Sequence, residues 1–272
     1  MAEIIAVANQ KGGVGKTTTA VNLSAALAAL GQETLLIDMD PQGNATSGVG
    51  FDKAQFDPNI YDVLVDLLPI EKTIKACATA KLSVSGANND LAGAEIELVS
   101  ALARESRLKG SLSAVRNRFD FVIIDCPPSL GLLTINALNA ADKVLIPIQG
   151  EYYSIEGLAQ FTSAVDQVKN SLNNKLDVEG GVLTMFDSRM TLSNQVKEEV
   201  AKFFGPKLFQ AIIPRNIRLA EAPGFGQNIF QYDAKSRGAE AYMSFAREFL
   251  FRRGLAQAPE PAASPEPMEN RS

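Results

Sequence analysis

The sequence predicts an α/β protein: a doubly wound, mainly parallel sheet with helices on both faces. Three observations lead there. Near-continuous runs of Val, Ile and Leu, the mark of strands buried on both faces, alternate with helical patterns along the chain. A glycine-rich turn, KGGVGKTT (residues 11–18), follows the first such run and opens the first helical one. The chain has 272 residues, 46% of them hydrophobic, enough for one large core.

Each element is justified in turn. Residues 3–9 (EIIAVAN) read as a buried strand and 16–31 as a helix that Gly31 stops. Residues 34–38 (TLLID) form a second strand, and 52–80 a helical elaboration after it. Further strands fall at 81–87, 119–125, 143–148, 180–186 and 208–214. Helices lie between them near 91–117, 130–140, 154–173, 191–204 and 236–253. Residues 1–254 read as a single domain. Residues 255–272 form an acidic, Pro-rich tail with too little to bury, and are expected to be disordered.

Composition narrows the chemistry. The chain has no histidine, which excludes imidazole catalysis and leaves carboxylate, lysine or water to accept protons. Its two cysteines, Cys77 and Cys126, form no CxxC pair and read as small buried hydrophobes. The N-terminus lacks a basic region and a cleavage pattern, and no apolar run reaches membrane-spanning length, so a cytoplasmic protein is expected. Net charge is −7 over residues 1–184 but +4 over 185–253, which suggests a local face for an anionic partner.

The glycine-rich turn departs from the usual phosphate loop, GxxxxGK[ST], because Gln10 stands where the first glycine belongs. Gly12, Gly13 and Gly15, with Val14 between them, free the backbone to wrap phosphate. Lys16 takes the usual lysine position, Thr17 is placed to ligate Mg²⁺, and Thr18 continues the loop. Lys11 is a second lysine across the turn from Lys16 and cannot easily serve the same phosphate. Asp125 ends an apolar strand, the placement of a carboxylate that holds Mg²⁺.

KGGVGKTT resembles the deviant Walker A loop of the ParA/MinD ATPases, in which the early lysine reaches the partner's ATP across a dimer. The resemblance implies that role for Lys11, with Gly12 to Thr18 holding ATP and Thr17 and Asp125 holding Mg²⁺. DPQGN (40–44) resembles the family's first switch, which implies that Asp40 orients the attacking water, with Asp38 structural. CPPSLG (126–131) resembles its second switch. The nitrogenase iron protein shares the loop, but Cys77 and Cys126 do not stand where its cluster needs ligands.

EYYSIEGL (151–158), 181–200 and 212–242 resemble chromosome-partitioning ParA proteins of the Soj type. That likeness runs from about residue 3 to 250 and implies adenine contacts from Pro214 and Asn216, in the PRN turn, and nonspecific DNA binding by Arg189 and Arg218. It also implies an ATP-dependent homodimer, double-stranded DNA and a ParB-type centromere-binding protein as partners, and a place on the nucleoid. With two residues before the first strand, no N-terminal operator-binding domain is expected. The alternatives are a ParA-like positioner of a plasmid or other cargo, and a MinD-like regulator that lays 241–254 on a membrane. The acidic tail that follows would be repelled by anionic lipid, so no stable membrane binding is expected.

Overall fold

The structure, a computed structural model, describes residues 1–150 and 154–257, the side chains of 154–156 excepted. β1 (Glu3–Val7) leads into α1 (Lys16–Ala29) and β2 (Thr34–Asp38). Short helices α2 (Asn44–Gly48) and α3 (Ile60–Leu64) follow, then β3 (Ile74–Ala76) and β4 (Leu82–Ser85). α4 (Leu91–Glu97) and α5 (Arg107–Leu112) precede β5 (Phe121–Asp125), α6 (Leu132–Ala140), β6 (Lys143–Gln149) and α7 (Ser154–Ser171). The chain continues through β7 (Asp177–Phe186), α8 (Thr191–Phe204), β8 (Leu208–Pro214), α9 (Ile217–Glu221), α10 (Ile229–Asp233) and α11 (Arg237–Phe251).

The strands described form one sheet in the order β3-β4-β2-β5-β1-β6-β7-β8. Every neighbouring pair is parallel except β3 with β4. Alternate residues feed opposite faces, as strand geometry requires. Ile4, Ile37, Ile124 and Ile146 join one core with Leu91, Leu133 and Phe161. Ile5, Leu36, Ile123 and Leu145 join the other with Leu23, Phe245 and Phe249. Both faces are therefore covered. The chain runs outward from β1 to one side, returns at β5, and crosses to β6 on the other. Open parallel sheets bind ligands at such a switch point, beyond the carboxyl ends of the strands.

Two expectations need correction, and one stretch left unassigned above proves helical. The stretch 91–117 is not one helix: after α4 come a 3₁₀ turn at Leu98–Ser100, α5, and another turn at Arg116–Arg118. Ala103 there has φ +53°, outside the helical region. Two amides from α6 hold the break, Asn136 donating to the Arg104 carbonyl (2.7 Å) and Asn139 to that of Glu105 (2.7 Å). The segment 52–80 is not wholly helical, because β3 adds a short antiparallel strand at the sheet's edge. The stretch 215–235 carries α9 and α10, each started by an asparagine side chain, Asn216 and Asn228.

The helix offered to a membrane is committed to the core. Tyr242, Phe245, Ala246 and Phe249 of α11 are all buried against the sheet. Arg253 lies over the Phe249 ring and pairs with Glu179 (2.9 Å) and with Glu3. No helix among the described residues is long and apolar enough to cross a membrane. Glu248 of α11 also reaches edge strand β8, where its carboxylate accepts the N–H groups of Gln210 (2.9 Å) and Ala211 (2.8 Å). The pairing of β7 with β8 slips there, Gly181 facing Leu208 but Leu183 facing Ile212, so β8 bulges.

Candidate functional site

β1 ends at Val7 and delivers the chain to the switch point, where the loop that includes residues 11–15 runs into the first turn of α1 at Lys16. Asn9 braces its start: the side-chain amide donates to the Pro147 carbonyl (2.8 Å), and its oxygen accepts the Lys11 N–H (3.0 Å). Thr184 of β7 braces its middle, donating to the Val14 carbonyl (2.8 Å). Gly13 and Gly15 have φ +74° and +82°, which residues with a side chain rarely adopt. Gly15 is the N-cap of α1, and no side chain caps the helix. The first-turn N–H groups thus face the loop, a cradle for an anion.

Lys16 is buried, and its ammonium donates to the Lys11 carbonyl at 2.9 Å. Burial lowers its pKa, and the charge of Asp125 works against that. Lys11, at the other end of the turn, is half-buried.

Two aspartates end adjacent strands side by side, Asp38 of β2 in register with Asp125 of β5. Both are fully buried. Their surroundings give them different roles. Asp38 is clasped: it accepts the Thr46 N–H and hydroxyl, each at 2.8 Å, and the Asp40 N–H at 3.1 Å. The Thr46 hydroxyl also accepts the Ala87 N–H (2.9 Å), which ties this clasp to the end of β4. Burial still pushes the Asp38 carboxyl up to about 6.

Asp125 is the opposite case. Neither of its buried oxygens has a hydrogen-bond partner. Burial, then the Asp38 charge, hold its carboxyl well above the usual carboxylate range. The Thr17 hydroxyl beside it favours the ionised form without completing a hydrogen bond of normal geometry. A buried carboxylate left unpaired is costly unless something positive arrives. The donor set, carboxylate and hydroxyl oxygens next to a phosphate cradle, fits Mg²⁺ held by Asp125 and Thr17.

Asp40 lies less deep, in the turn after β2, its carboxylate accepting the Gln42 N–H at 2.9 Å. Pro214 and Asn216 line a cavity of about 370 Å³ that also touches Gly15, Thr18, Met185 and Tyr242. It opens beside the cradle, with which it shares Gly15 and Thr18. The Asn216 oxygen is engaged as the cap of α9, accepting the Leu219 N–H (3.3 Å).

The two arginines stand outside this site, each held by carboxylates. Arg189 makes a bidentate pair with Asp187 (2.9 and 2.7 Å) while its side chain stays 88% exposed. Arg218 pairs with Glu221 (3.0 Å) and Asp233 (3.5 Å). Cys126 is buried beside Asp125 and Cys77 is half-buried; both are free thiols. Tyr152 and Tyr153 of the EYYSIEGL stretch lie outside the described residues, as does the tail from 258 on.

Sequence reasoning misses Asn9, Thr46 and Thr184. Asn9 stands two residues before the loop motif and offers a local signal; Thr184 sits 170 residues from Val14 and offers none.

A family model described as an AAA domain matches residues 2–178. The sporulation initiation inhibitor protein Soj of Bacillus subtilis is 55% identical over 248 residues, covering 91% of this chain and 98% of the relative. The chromosome partitioning protein ParA of Myxococcus xanthus is 52% identical, covering 92% of this chain and 88% of its own. A crystal structure described as cobyrinic acid a,c-diamide synthase from Mycobacterium smegmatis, with bound ADP and magnesium, superposes with a TM-score of 0.82 at 37% identity, over 97% of this chain and 100% of that one. With its deviant phosphate loop at the switch point of a doubly wound sheet, the chain belongs to the AAA-domain family and, within it, to the Soj/ParA group of ATPases.

Proposed function

We propose that this protein is a chromosome-partitioning ATPase whose ATP-bound homodimer holds nonspecific DNA and lets go after hydrolysis stimulated by a ParB-type partner. The observation that carries the reading is Asp125, two buried oxygens without partners beside the cradle formed by residues 12–18. In this reading the ammonium of Lys16 leaves the Lys11 carbonyl for phosphate oxygens. The Thr17 hydroxyl and the Asp125 carboxylate hold Mg²⁺. Held there by Thr17 and Asp125, Mg²⁺ would supply positive charge to offset that of the phosphates. Asp40, with no histidine available, orients the attacking water through its carboxylate. Lys11 acts across a dimer, where a cation from the partner stabilises phosphate charge as an arginine finger does. Pro214 and Asn216 border the base. Two subunits joined in this way present two copies of Arg189 and Arg218 to one duplex. The protein would then sit on the nucleoid.

Binding to a fluorescent nonspecific duplex, measured with ATP, ADP or no nucleotide, tests the reading. Binding is expected only with ATP. Arg218→Ala should lower affinity roughly tenfold and reduce the salt slope by about one for each phosphate that is no longer neutralised. Asp187→Asn frees Arg189 from its carboxylate and should tighten binding. Equal affinity in all three nucleotide states would overturn the proposal.

Two variants separate the steps. Lys11→Ala should bind ATP and stay monomeric on a sizing column, while Asp40→Ala should form a DNA-bound dimer that does not turn over. An ATP-dependent Lys11→Ala dimer removes the trans role, and normal turnover in Asp40→Ala removes Asp40 from catalysis.

A further inference from the structure

The loop 126–131 runs from Asp125 to the start of α6 and touches the rest of the protein at two notable points. Near its beginning, Pro128 borders the phosphate loop: a Cβ placed on Gly12 would lie 4.0 Å from the Pro128 Cβ. At its end, Gly131 lies under the carboxylate of Glu95 from α4. A Cβ placed on Gly131 would fall 2.0 Å from Glu95 Oε1 and 2.7 Å from Oε2. Gly131 has φ −78°, open to any residue, so a side chain here would be opposed by the end of the Glu95 side chain and not by backbone conformation.

The contact is electrostatically incomplete. Glu95 Oε1 is buried and has no hydrogen-bond partner. Gly131 is the N-cap of α6, and no side chain caps that helix. Its first-turn N–H groups have no intrahelical acceptors, and that end of the helix carries the positive part of the dipole. A carboxylate oxygen without a donor is therefore pressed against the residue that precedes a row of donors. α4 itself is anchored, with Leu91 and Ala94 in the core. α6 is anchored in the same core by Leu133, so movement that would pair the oxygen belongs to the loop's end at Gly131 and to neither helix. Two arrangements of the loop's end would follow, one with the oxygen unpaired and one with it accepting an N–H at the start of α6.

We propose that Glu95 is a positioning residue for ATP hydrolysis: it sets the equilibrium of loop 126–131, and through Pro128 the fit of that loop against the phosphate loop. This rests on the ATPase reading. Glu95 touches no reacting atom, so nucleotide affinity should not depend on it, whereas turnover should. Coupling of this kind shifts rates by roughly three- to thirtyfold.

The test compares Glu95→Ala, Glu95→Gln and Gly131→Ala. The last evicts the carboxylate by volume and leaves Glu95 itself intact. All three should keep wild-type ATP affinity and melting temperature, and kcat should fall within that range. Because Glu95→Ala and Gly131→Ala disrupt the same interaction from its two sides, the double variant should be no slower than either single one. Glu95→Gln keeps the shape and loses the charge, so it should follow Glu95→Ala. Hydrogen exchange gives a readout that needs no turnover: amides of residues 126–134 should exchange faster in each variant, with the rest of the chain unchanged.

Additive effects of Glu95→Ala and Gly131→Ala, wild-type kcat in Glu95→Gln, or unchanged exchange at 126–134 would each overturn the proposal. Failure of the ATPase reading looks different. There the unaltered protein would show no turnover that Lys16→Ala abolishes, whatever the exchange data report.

Discussion

Lys16→Ala is expected to reduce ATP affinity by about a hundredfold or more, the loss of charge-assisted bonds to phosphate in a buried setting. The structure gives the reason in two parts. The ammonium is already desolvated in the free protein, and its hydrogen bond is to a backbone carbonyl, that of Lys11. That neutral acceptor is a weaker partner than a phosphate oxygen. The second part is what remains. Lys16 is the cation that offsets Asp125, and without it two buried carboxylates are left to each other. Lys16→Ala should therefore also melt at a lower temperature than the unaltered protein when no nucleotide is present. Lys16→Met preserves the volume and should lose affinity equally, which separates the charge from packing. Titration calorimetry with ATP measures the first effect, and thermal unfolding the second. Retained tight binding in both variants would remove the loop from nucleotide recognition.

Asp125→Asn should have the opposite effect on the free protein. Replacing an unpaired buried charge with a neutral group of the same shape removes repulsion from Asp38, and should stabilise the ligand-free fold by about 1–3 kcal/mol. The sign follows from linkage. Burial raises the carboxyl pKa in the folded state, so the folded protein takes up a proton more readily than the unfolded chain. The cost of the ionised form is thus absent at low pH and appears as pH rises. The gain from Asp125→Asn should accordingly be larger at about pH 8 than at about pH 5. Mg²⁺ reverses the ranking: with ATP and Mg²⁺ the unaltered protein should gain thermal stability that the variant does not. Melting curves with ATP, with and without Mg²⁺, decide the matter. A variant that melts lower than the unaltered protein in the free state would show that the Asp125 carboxylate is satisfied there by groups on the protein.

What is legible in the sequence is the part built from neighbours along the chain. Residues 34–38 and 208–214 are legible with the bounds the structure gives them, the first because a strand buried on both faces shows as an apolar run, the second because apolar pairs flank the exposed Gln210 of an edge strand. The loop 11–18 is legible because its glycines, its lysine and its place between strand and helix all fall within sixteen residues. Asp38 and Asp125 are legible as strand-end carboxylates. That one is clasped and the other bare is not, because Thr46 closes on Asp38 only after α2 folds back. The break at 98–106 is hidden for a similar reason: the amides that hold it come from α6, about thirty residues further on. β3 has three residues, none of them fully buried, and so leaves no pattern. The carboxylates beside Arg189 and Arg218 are in plain view, but charge counting over a long stretch cannot pair them.

The bulge in β8 has a consequence for how copies of this protein can meet. An edge strand normally offers a row of free N–H and C=O groups, and another chain can add a strand there, which is the route to sheet-extended fibres. Here the Gln210 and Ala211 donors are already taken by Glu248, and the bulge bends the strand out of the flat register such addition needs. This edge therefore ends the sheet. Copies of the chain that gather at high local concentration are steered away from zipping edge to edge along β8.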